Sequence, residues 1–198
     1  MKHKSLLEPN IFISAFSHNR EAAKFLLETI LGANKPLSSF QFTIKDIKLC
    51  KSGFTRSDGL PDQSIIIFAE DEAGHSYDFA LLIADEKYFS KQARVHSSYL
   101  TAYGRYAENE NVEDYILMFT PKTLPGFELP LAIINWKVIE TDEILEDTDH
   151  ILIINCERDT RTYSRFHDVI HDLRQHNLEE MYTFELRQAF LEVLDQHS

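Results

Sequence analysis

Cysteine is scarce in this sequence of 198 residues, which contains only Cys50 and Cys156. The two residues form no CxxC pattern, so neither a disulfide framework nor a cysteine zinc site is supported. We therefore expect a protein of a reducing compartment in which both thiols are buried.

Long apolar runs are lacking as well. No stretch approaches the roughly 18 apolar residues that a membrane helix needs, and the positively charged N-terminus does not continue into the apolar segment of a signal peptide. We expect no membrane association and a cytoplasmic protein of bacterial type.

Positive charge is in deficit. Lys and Arg number 20 against 32 Asp and Glu, which gives a formal net charge of -12. Because phosphate binding is mainly electrostatic, this balance disfavours DNA as a partner, although a local basic strip is compatible with it. A protein partner or a homo-oligomer is the expectation that the charge favours.

Hydrophobic spacing predicts an alternation of helices and strands along one domain. The predicted elements are a helix over 10–31, either continuous or split near Ser17 to Asn19, a strand over 40–49, a hairpin over 64–84, a helix over 87–106, strands over 115–119, 129–138 and 151–154, and helices over 163–175 and 179–194. This order predicts an α/β or α+β fold with a mixed central sheet and helices on both faces. The core covers about 10–155, and a C-terminal helical part follows over about 160–196.

The helix over 87–106 carries most of the exposed-aromatic and cationic candidates. A set of aromatic and small residues recurs at helical spacing, and three cations, Lys91, Arg94 and Arg105, lie elsewhere around the helix. One interpretation is a contact surface; the other is that the aromatics are core and the cations face solvent. The aromatics of that surface are Tyr88, Phe89, Tyr99, Tyr103 and Tyr106, and its cations are Lys87, Lys91, Arg94 and Arg105. The spaced residues are Tyr88, Gln92, Val95, Tyr99, Ala102, Tyr103 and Tyr106.

Three sequence blocks, taken together in this order and at this spacing, carry a resemblance. They are the segment from Asn10 to Gly32, the segment Phe68 to Gly74 with the sequence FAEDEAG, and Lys91-Gln-Ala-Arg94 followed by Ser97 and Ser98. Over about 10–154 the chain resembles the PD-(D/E)XK nuclease family transposases, also called recombination-promoting nucleases. The resemblance implies a restriction-endonuclease-like fold and, in the family, a metal-dependent DNA endonuclease activity.

In that family an Asp opens the first strand of the hairpin, and Glu-x-Gln or Glu-x-Lys follows in the second. The carboxylates hold Mg²⁺, which activates water and neutralises charge on the phosphate. With the acidic turn setting the register, the Asp position falls on Ile66 and the Glu and Gln positions fall on Ala80 and Leu82. The resemblance also implies a phosphate-binding role for Lys91 and Arg94. Because Mg²⁺ requires oxygen ligands, we expect a degenerate site without a bound metal.

Two substitute ligand sets are open. Asp62, Asp85 and Lys87 spell the PD and DxK strings, and a shifted register would place Asp85 and Lys87 on one face at a strand end. The simpler explanation, which we favour, is a loop Asp near Gly59 and a polar strand terminus that starts a helix. The second set is Glu70, Asp71, Glu72 and Asp78, which a solvated hairpin turn explains without any metal.

His167 and His171 are spaced as on one face of a helix, which is the spacing of some zinc ligands. No third ligand is identifiable, so we favour surface or packing histidines. No GxSxG, P-loop or GxGxxG string occurs.

Three functional hypotheses follow. The leading one is a catalytically inactive PD-(D/E)XK-like protein that acts as a binding or regulatory module without a cofactor. The alternative is a divergent Mg²⁺-dependent DNA endonuclease that uses Asp62, Asp85 and Lys87. A third makes the terminal helices a dimerisation surface that comprises Met181, Phe184, Leu186, Phe190, Leu191 and Leu194.

Overall fold

A computed structural model describes residues 4–34, 43–51, 64–103, 112–134, 149–158 and 164–196. Its elements, in chain order, are α1 (Pro9–His18), α2 (Arg20–Asn34), β1 (Ile44–Lys51), β2 (Ser64–Asp71), β3 (Ser76–Ile83), α3 (Phe89–Tyr103), β4 (Val112–Thr120), β5 (Leu131–Ile134), β6 (Asp149–Asn155), α4 (Arg165–Arg174), a 3₁₀ helix (Leu178–Glu180) and α5 (Phe184–Gln196).

The strands form one six-stranded open sheet in the order β1-β2-β3-β4-β6-β5. Strands β1, β2 and β3 are antiparallel neighbours, whereas β4 is parallel to both β3 and β6. Strand β5 closes one end antiparallel to β6. The molecule is therefore an α+β protein with a mixed sheet, as the order of predicted elements indicated.

Helices cover both faces of the sheet. The larger core cluster joins α1, α2, α4 and α5 to one face, and the smaller one joins α3 to the other. Successive residues of β2 alternate between the two clusters, with Ile65 and Ile67 on the first face and Ile66 on the second. Burial on both faces explains why these strands are nearly continuous apolar runs.

The first predicted helix is split at Asn19, one of the two open alternatives. The Asn19 side-chain oxygen accepts the backbone N–H of Ala22 at 2.9 Å and so caps the start of α2. Asn is a favoured residue at this position because its side chain satisfies a backbone donor that the helix leaves unpaired. The split therefore has a local cause that is visible in the sequence.

The predicted helix over 179–194 is confirmed from Phe184 onward, but its predicted start is wrong. A 3₁₀ turn ends at Glu180, and three residues outside any helix or strand then lead to α5. The buried carboxylate of Asp172 accepts the backbone N–H groups of Tyr182 and Thr183 at 2.8 and 2.7 Å, which removes these donors from any helical ladder. A tertiary hydrogen bond thus interrupts a segment whose apolar spacing alone favours a helix.

The hypothesis of a dimerisation surface needs a correction at the same segment. Met181, Leu186 and Phe190 are buried in the larger core cluster, so they are not available to a second molecule. Phe184 and Leu191 are exposed. Only part of the predicted surface therefore faces outward.

None of the helices in the described ranges is both long enough and apolar enough to cross a membrane. Parts of four predicted elements fall outside the described residues. They are the beginnings of the strand over 40–49 and of the helix over 163–175, and the ends of the helix over 87–106 and of the strand over 129–138.

Candidate functional site

The central hairpin is organised by Asp71, the last residue of β2. Its Oδ1 accepts the backbone N–H groups of Ala73 and His75, both at 2.9 Å. Its Oδ2 accepts the Tyr77 hydroxyl at 3.0 Å and lies 3.0 Å from His75 Nδ1. Gly74 has a φ of 87°, a left-handed conformation that glycine adopts without strain. These contacts fix the turn and, with it, the register of the two strands.

The same contacts lower the pKa of Asp71. Partial burial raises the pKa of this carboxyl, but the hydrogen bonds from His75 and Tyr77 outweigh it, so the net pKa is lowered. The carboxylate is thus stabilised in its charged form by the turn that it organises. Asp71 serves the backbone of the hairpin and is not a free ligand.

The register brings Ile66, Ala80 and Leu82, the three positions that the resemblance singles out, onto one face of the sheet. Ile66 pairs directly with Ala80 across β2 and β3, and Leu82 lies two residues further along β3. Their exposed fractions are 2%, 0% and 1%, and all three belong to the core cluster beneath α3. Two residues that face each other across a hairpin are placed as two ligands of one metal would be, but these side chains are hydrocarbon.

Mg²⁺ does not fit these three positions. The ion binds hard oxygen ligands in near-octahedral order, and it retains water that an apolar wall would have to displace. The remaining neighbours in the cluster are also apolar: Ala84, Ala93, Leu100, Ile116, Met118 and Ile151. The side chains of Ile66, Ala80 and Leu82 are therefore part of the hydrophobic core.

Helix α3 covers Ile66, Ala80 and Leu82 with a different face from the one that the spaced residues of the predicted helix indicated. The buried residues are Ala93, His96 and Leu100, each one position after the predicted Gln92, Val95 and Tyr99. One position corresponds to a rotation of about 100° around the helix axis. Val95 is exposed although it is apolar, and His96 is buried although it is polar, with Nδ1 2.8 Å from the carbonyl oxygen of Gln92.

The cations of α3 lie away from the wall. Lys91 and Arg94 are both exposed, and helical spacing puts them on the side opposite the buried face. Tyr88 is exposed too, whereas Phe89 and Tyr99 are partly buried against the cluster. The structure does not bring these two cations together with Ile66, Ala80 and Leu82. Arg105 and Tyr106 lie outside the described part of the chain.

Asp85 and Lys87 do not share a face at a strand end, which the shifted register would require; they follow the strand at the start of a helix, as the simpler explanation predicted. Strand β3 ends at Ile83, and residues 86–88 form a turn into α3. Asp85 Oδ1 accepts the backbone N–H of Lys87 at 2.9 Å, and the Asp85 N–H donates to Gln92 Oε1 at 2.9 Å. This is the side-chain and backbone pattern of a helix entry, so Asp85 has a structural task. Asp62 lies outside the described residues.

The second substitute set is dispersed. Glu70 pairs with Lys45 at 3.1 Å, Asp71 holds the turn and Glu72 is exposed, all as a solvated turn requires. Asp78 is different, because it lies within β3 and is fully buried. The solvated-turn explanation is therefore wrong for this residue. Among the described residues, no three His, Cys, Asp or Glu side chains are grouped so that they could hold a metal ion.

Sequence reasoning missed a pair of buried carboxyls. Asp78 on β3 and Asp114 on β4 are directly paired in the parallel ladder, and their exposed fractions are 0% and 1%. Each lies two residues before a member of the smaller core cluster, Ala80 or Ile116, and so shares the α3 face of the sheet with it. The signal in the sequence was a charged residue inside each of two apolar strands, since such a residue is seldom buried without a structural or functional reason.

Both ring nitrogens of His171 on α4 have protein partners. His171 Nδ1 lies 3.0 Å from Asp172 Oδ1, and its Nε2 lies 2.9 Å from Gln175 Nε2. The ring also stacks on Tyr182 with a centroid distance of 4.0 Å and an interplanar angle of 8°. His171 is a packing residue, as the sequence led us to favour.

Other ionisable groups have pKa values displaced mainly by burial. Burial raises the pKa of the Cys156 thiol to about 12, although Arg174 acts in the opposite direction. Burial and the neighbouring Glu113 carboxylate, whose Oε2 accepts the Tyr115 hydroxyl at 2.8 Å, raise the pKa of Tyr115. A thiol that stays protonated is a poor nucleophile, so Cys156 is structural. The Cys50 side chain is not among those described.

Comparison with models of known protein families, with curated proteins and with solved structures finds no match to this chain.

Proposed function

We propose that this chain is a catalytically inactive relative of the PD-(D/E)XK transposase-type nucleases, with a restriction-endonuclease-like fold, and that it acts as a binding or regulatory module. The single observation that carries the proposal is the apolar wall made by Ile66, Ala80 and Leu82. These positions correspond to the Asp, Glu and Gln of the motif that the chain resembles. Their side chains supply no oxygen for Mg²⁺ and no group to orient water.

The pairing of the hairpin supports the proposal. Ile66 and Ala80 face each other across β2 and β3 on the side covered by α3. A functional metal site built there would need both side chains to be carboxylates, with room for water and a phosphate. Instead, Ala93 and Leu100 of α3 close the space above them. The space that a metal ion, water and a phosphate would need is occupied by apolar side chains.

The charge of the molecule supports a protein partner more than a nucleic acid. A net charge of -12 repels phosphate over most of the surface. Lys91 and Arg94 are exposed, as a phosphate contact requires. DNA binding without cleavage is therefore a secondary role of the proposal. A gel-shift assay at several salt concentrations tests it.

The alternative is a divergent Mg²⁺-dependent DNA endonuclease that uses Asp62, Asp85 and Lys87. Asp85 and Lys87 are exposed and adjacent at the entry to α3, which is the observation that favours it. The buried pair Asp78 and Asp114 is a further set of carboxylates close to the family positions. The decisive experiment must distinguish cleavage that depends on any of these carboxylates from cleavage by a contaminating nuclease.

The experiment is cleavage of supercoiled plasmid over a series of Mg²⁺ and Mn²⁺ concentrations. We expect no cleavage by the wild-type chain. Asp62→Ala, Asp85→Ala and Asp78→Asn are assayed beside it, with Asp58→Ala as the matched control from the same segment as Asp62. Cleavage that is lost in one of the first three variants and kept in Asp58→Ala would overturn the proposal. Cleavage that persists equally in all of the variants identifies a contaminant.

A further inference from the structure

Three apolar side chains near the end of the chain face outward together. The exposed fractions of Tyr182, Phe184 and Leu191 are 64%, 63% and 37%. Phe184 and Leu191 are seven residues apart in α5, so they point in the same direction about 10 Å apart along the helix. Tyr182 lies two residues before Phe184. We call these three residues the C-terminal apolar patch.

The aromatic end of the patch is held on a fixed backbone. Thr183, between the two exposed aromatics, is buried, and its hydroxyl donates to Asp172 Oδ2 at 2.6 Å. The same buried carboxylate accepts the N–H groups of Tyr182 and Thr183, and the Tyr182 ring stacks on His171. A binding surface whose backbone and ring positions are fixed in advance loses little conformational entropy when a partner docks.

The segment that contains the patch is rich in carboxylates. Over 178–196 it carries five carboxylates and one cation, Arg187, which helical spacing places beside Phe184 and Leu191. Glu180 and Glu185 flank the two aromatic residues in sequence, and Asp195 is one helical turn beyond Leu191. A second copy of this chain would bring the same carboxylates face to face, which is repulsive, whereas a cationic partner would be attracted. The five carboxylates are Glu179, Glu180, Glu185, Glu192 and Asp195.

We propose that the C-terminal apolar patch is the docking surface for a cationic amphipathic helix of another protein. Apolar side chains spaced over two turns of the partner would contact Phe184 and Leu191, and its Lys or Arg residues would lie over the acidic rim. Aromatic residues in such a position commonly carry most of the binding free energy of an interface. The proposal names the partner chemistry of the binding module proposed above and rests on that role.

The test uses the full chain and a fluorescein-labelled 15-residue helical peptide with Leu on one face and Lys on the other, monitored by anisotropy. A peptide with Glu in place of Lys is the charge control. We expect saturable binding of the Leu/Lys peptide, no binding of the Leu/Glu peptide, and an affinity about tenfold or more weaker in the double variant Phe184→Ser, Leu191→Ser. Leu129→Ser, at another exposed leucine, is the matched control and leaves the affinity unchanged.

Three results would overturn the docking surface. They are equal affinity in the wild type and the double variant, equal weakening by Leu129→Ser, and a concentration-dependent mass in ultracentrifugation that the double variant abolishes, which would assign the patch to a second copy. Thermal melting of each variant confirms that it is folded. Plasmid cleavage together with an intact peptide response would overturn the proposed function alone, so the two failures are distinguishable.

Discussion

Single side chains decide the chemistry at the centre of the hairpin. Ile66 and Ala80 lie where two ligands of one metal would face each other, and each is almost fully buried. A carboxylate at such a position would require a large rearrangement, because a buried carboxylate without a partner raises its pKa or unfolds the chain. The apolar character of these two positions is therefore tied to the stability of the core.

We predict that Ile66→Asp lowers the free energy of unfolding by about 4 kcal/mol or more at neutral pH. A pKa raised by roughly three units costs about 4 kcal/mol, and the lost burial of the isoleucine adds to it. Urea denaturation followed by circular dichroism measures the change.

Ile66→Val is the matched control and should cost about 1 kcal/mol. Addition of Mg²⁺ should leave the stability of Ile66→Asp unchanged. If Mg²⁺ restored most of the lost stability, the position would be a latent metal site and the packing account of the wall would fail.

At the scale of elements, the junction between α4 and α5 depends on a carboxylate. Asp172 in the last turns of α4 is fully buried, and its oxygens accept three hydrogen bonds from Tyr182 and Thr183. Thr183 in turn precedes α5, and its carbonyl accepts the N–H of Arg187 at 3.2 Å. One side chain thus sets where α5 begins and how it meets α4.

We predict that Asp172→Ala destabilises the fold by about 3 kcal/mol, because it leaves buried donors without an acceptor and each such donor costs about 1 kcal/mol or more. Thermal or urea unfolding measures the loss. Asp168→Ala, one turn earlier on α4 and partly exposed, should change the stability by less than about 1 kcal/mol. Equal effects of the two substitutions would show that Asp172 does not hold the junction.

At the scale of the whole molecule, the order of strands sets which parts are best protected. Strands β3, β4 and β6 each have a neighbour on both sides, whereas β1 and β5 occupy the ends of the described sheet. Helices cover both faces in the middle. Opening the middle of the sheet therefore requires nearly global unfolding, and opening an end does not.

We predict that backbone amides of β3 and β4 exchange with solvent deuterium most slowly and that those of β5 exchange faster. Hydrogen exchange followed by mass spectrometry of peptic fragments measures the order. Exchange in β5 as slow as in β4 would contradict the prediction, since it would mean that the edge strand opens only with the core.

The sequence by itself determined the type and order of most elements, the hairpin and the burial of strands on both faces. These features depend on local patterns of apolar spacing and on turn residues. The tertiary structure alone decided which face of α3 is buried, that Asp78 is buried and that Asp172 interrupts the last helix. Each of these depends on where an element docks or on a partner distant in sequence, and a local sequence pattern specifies neither.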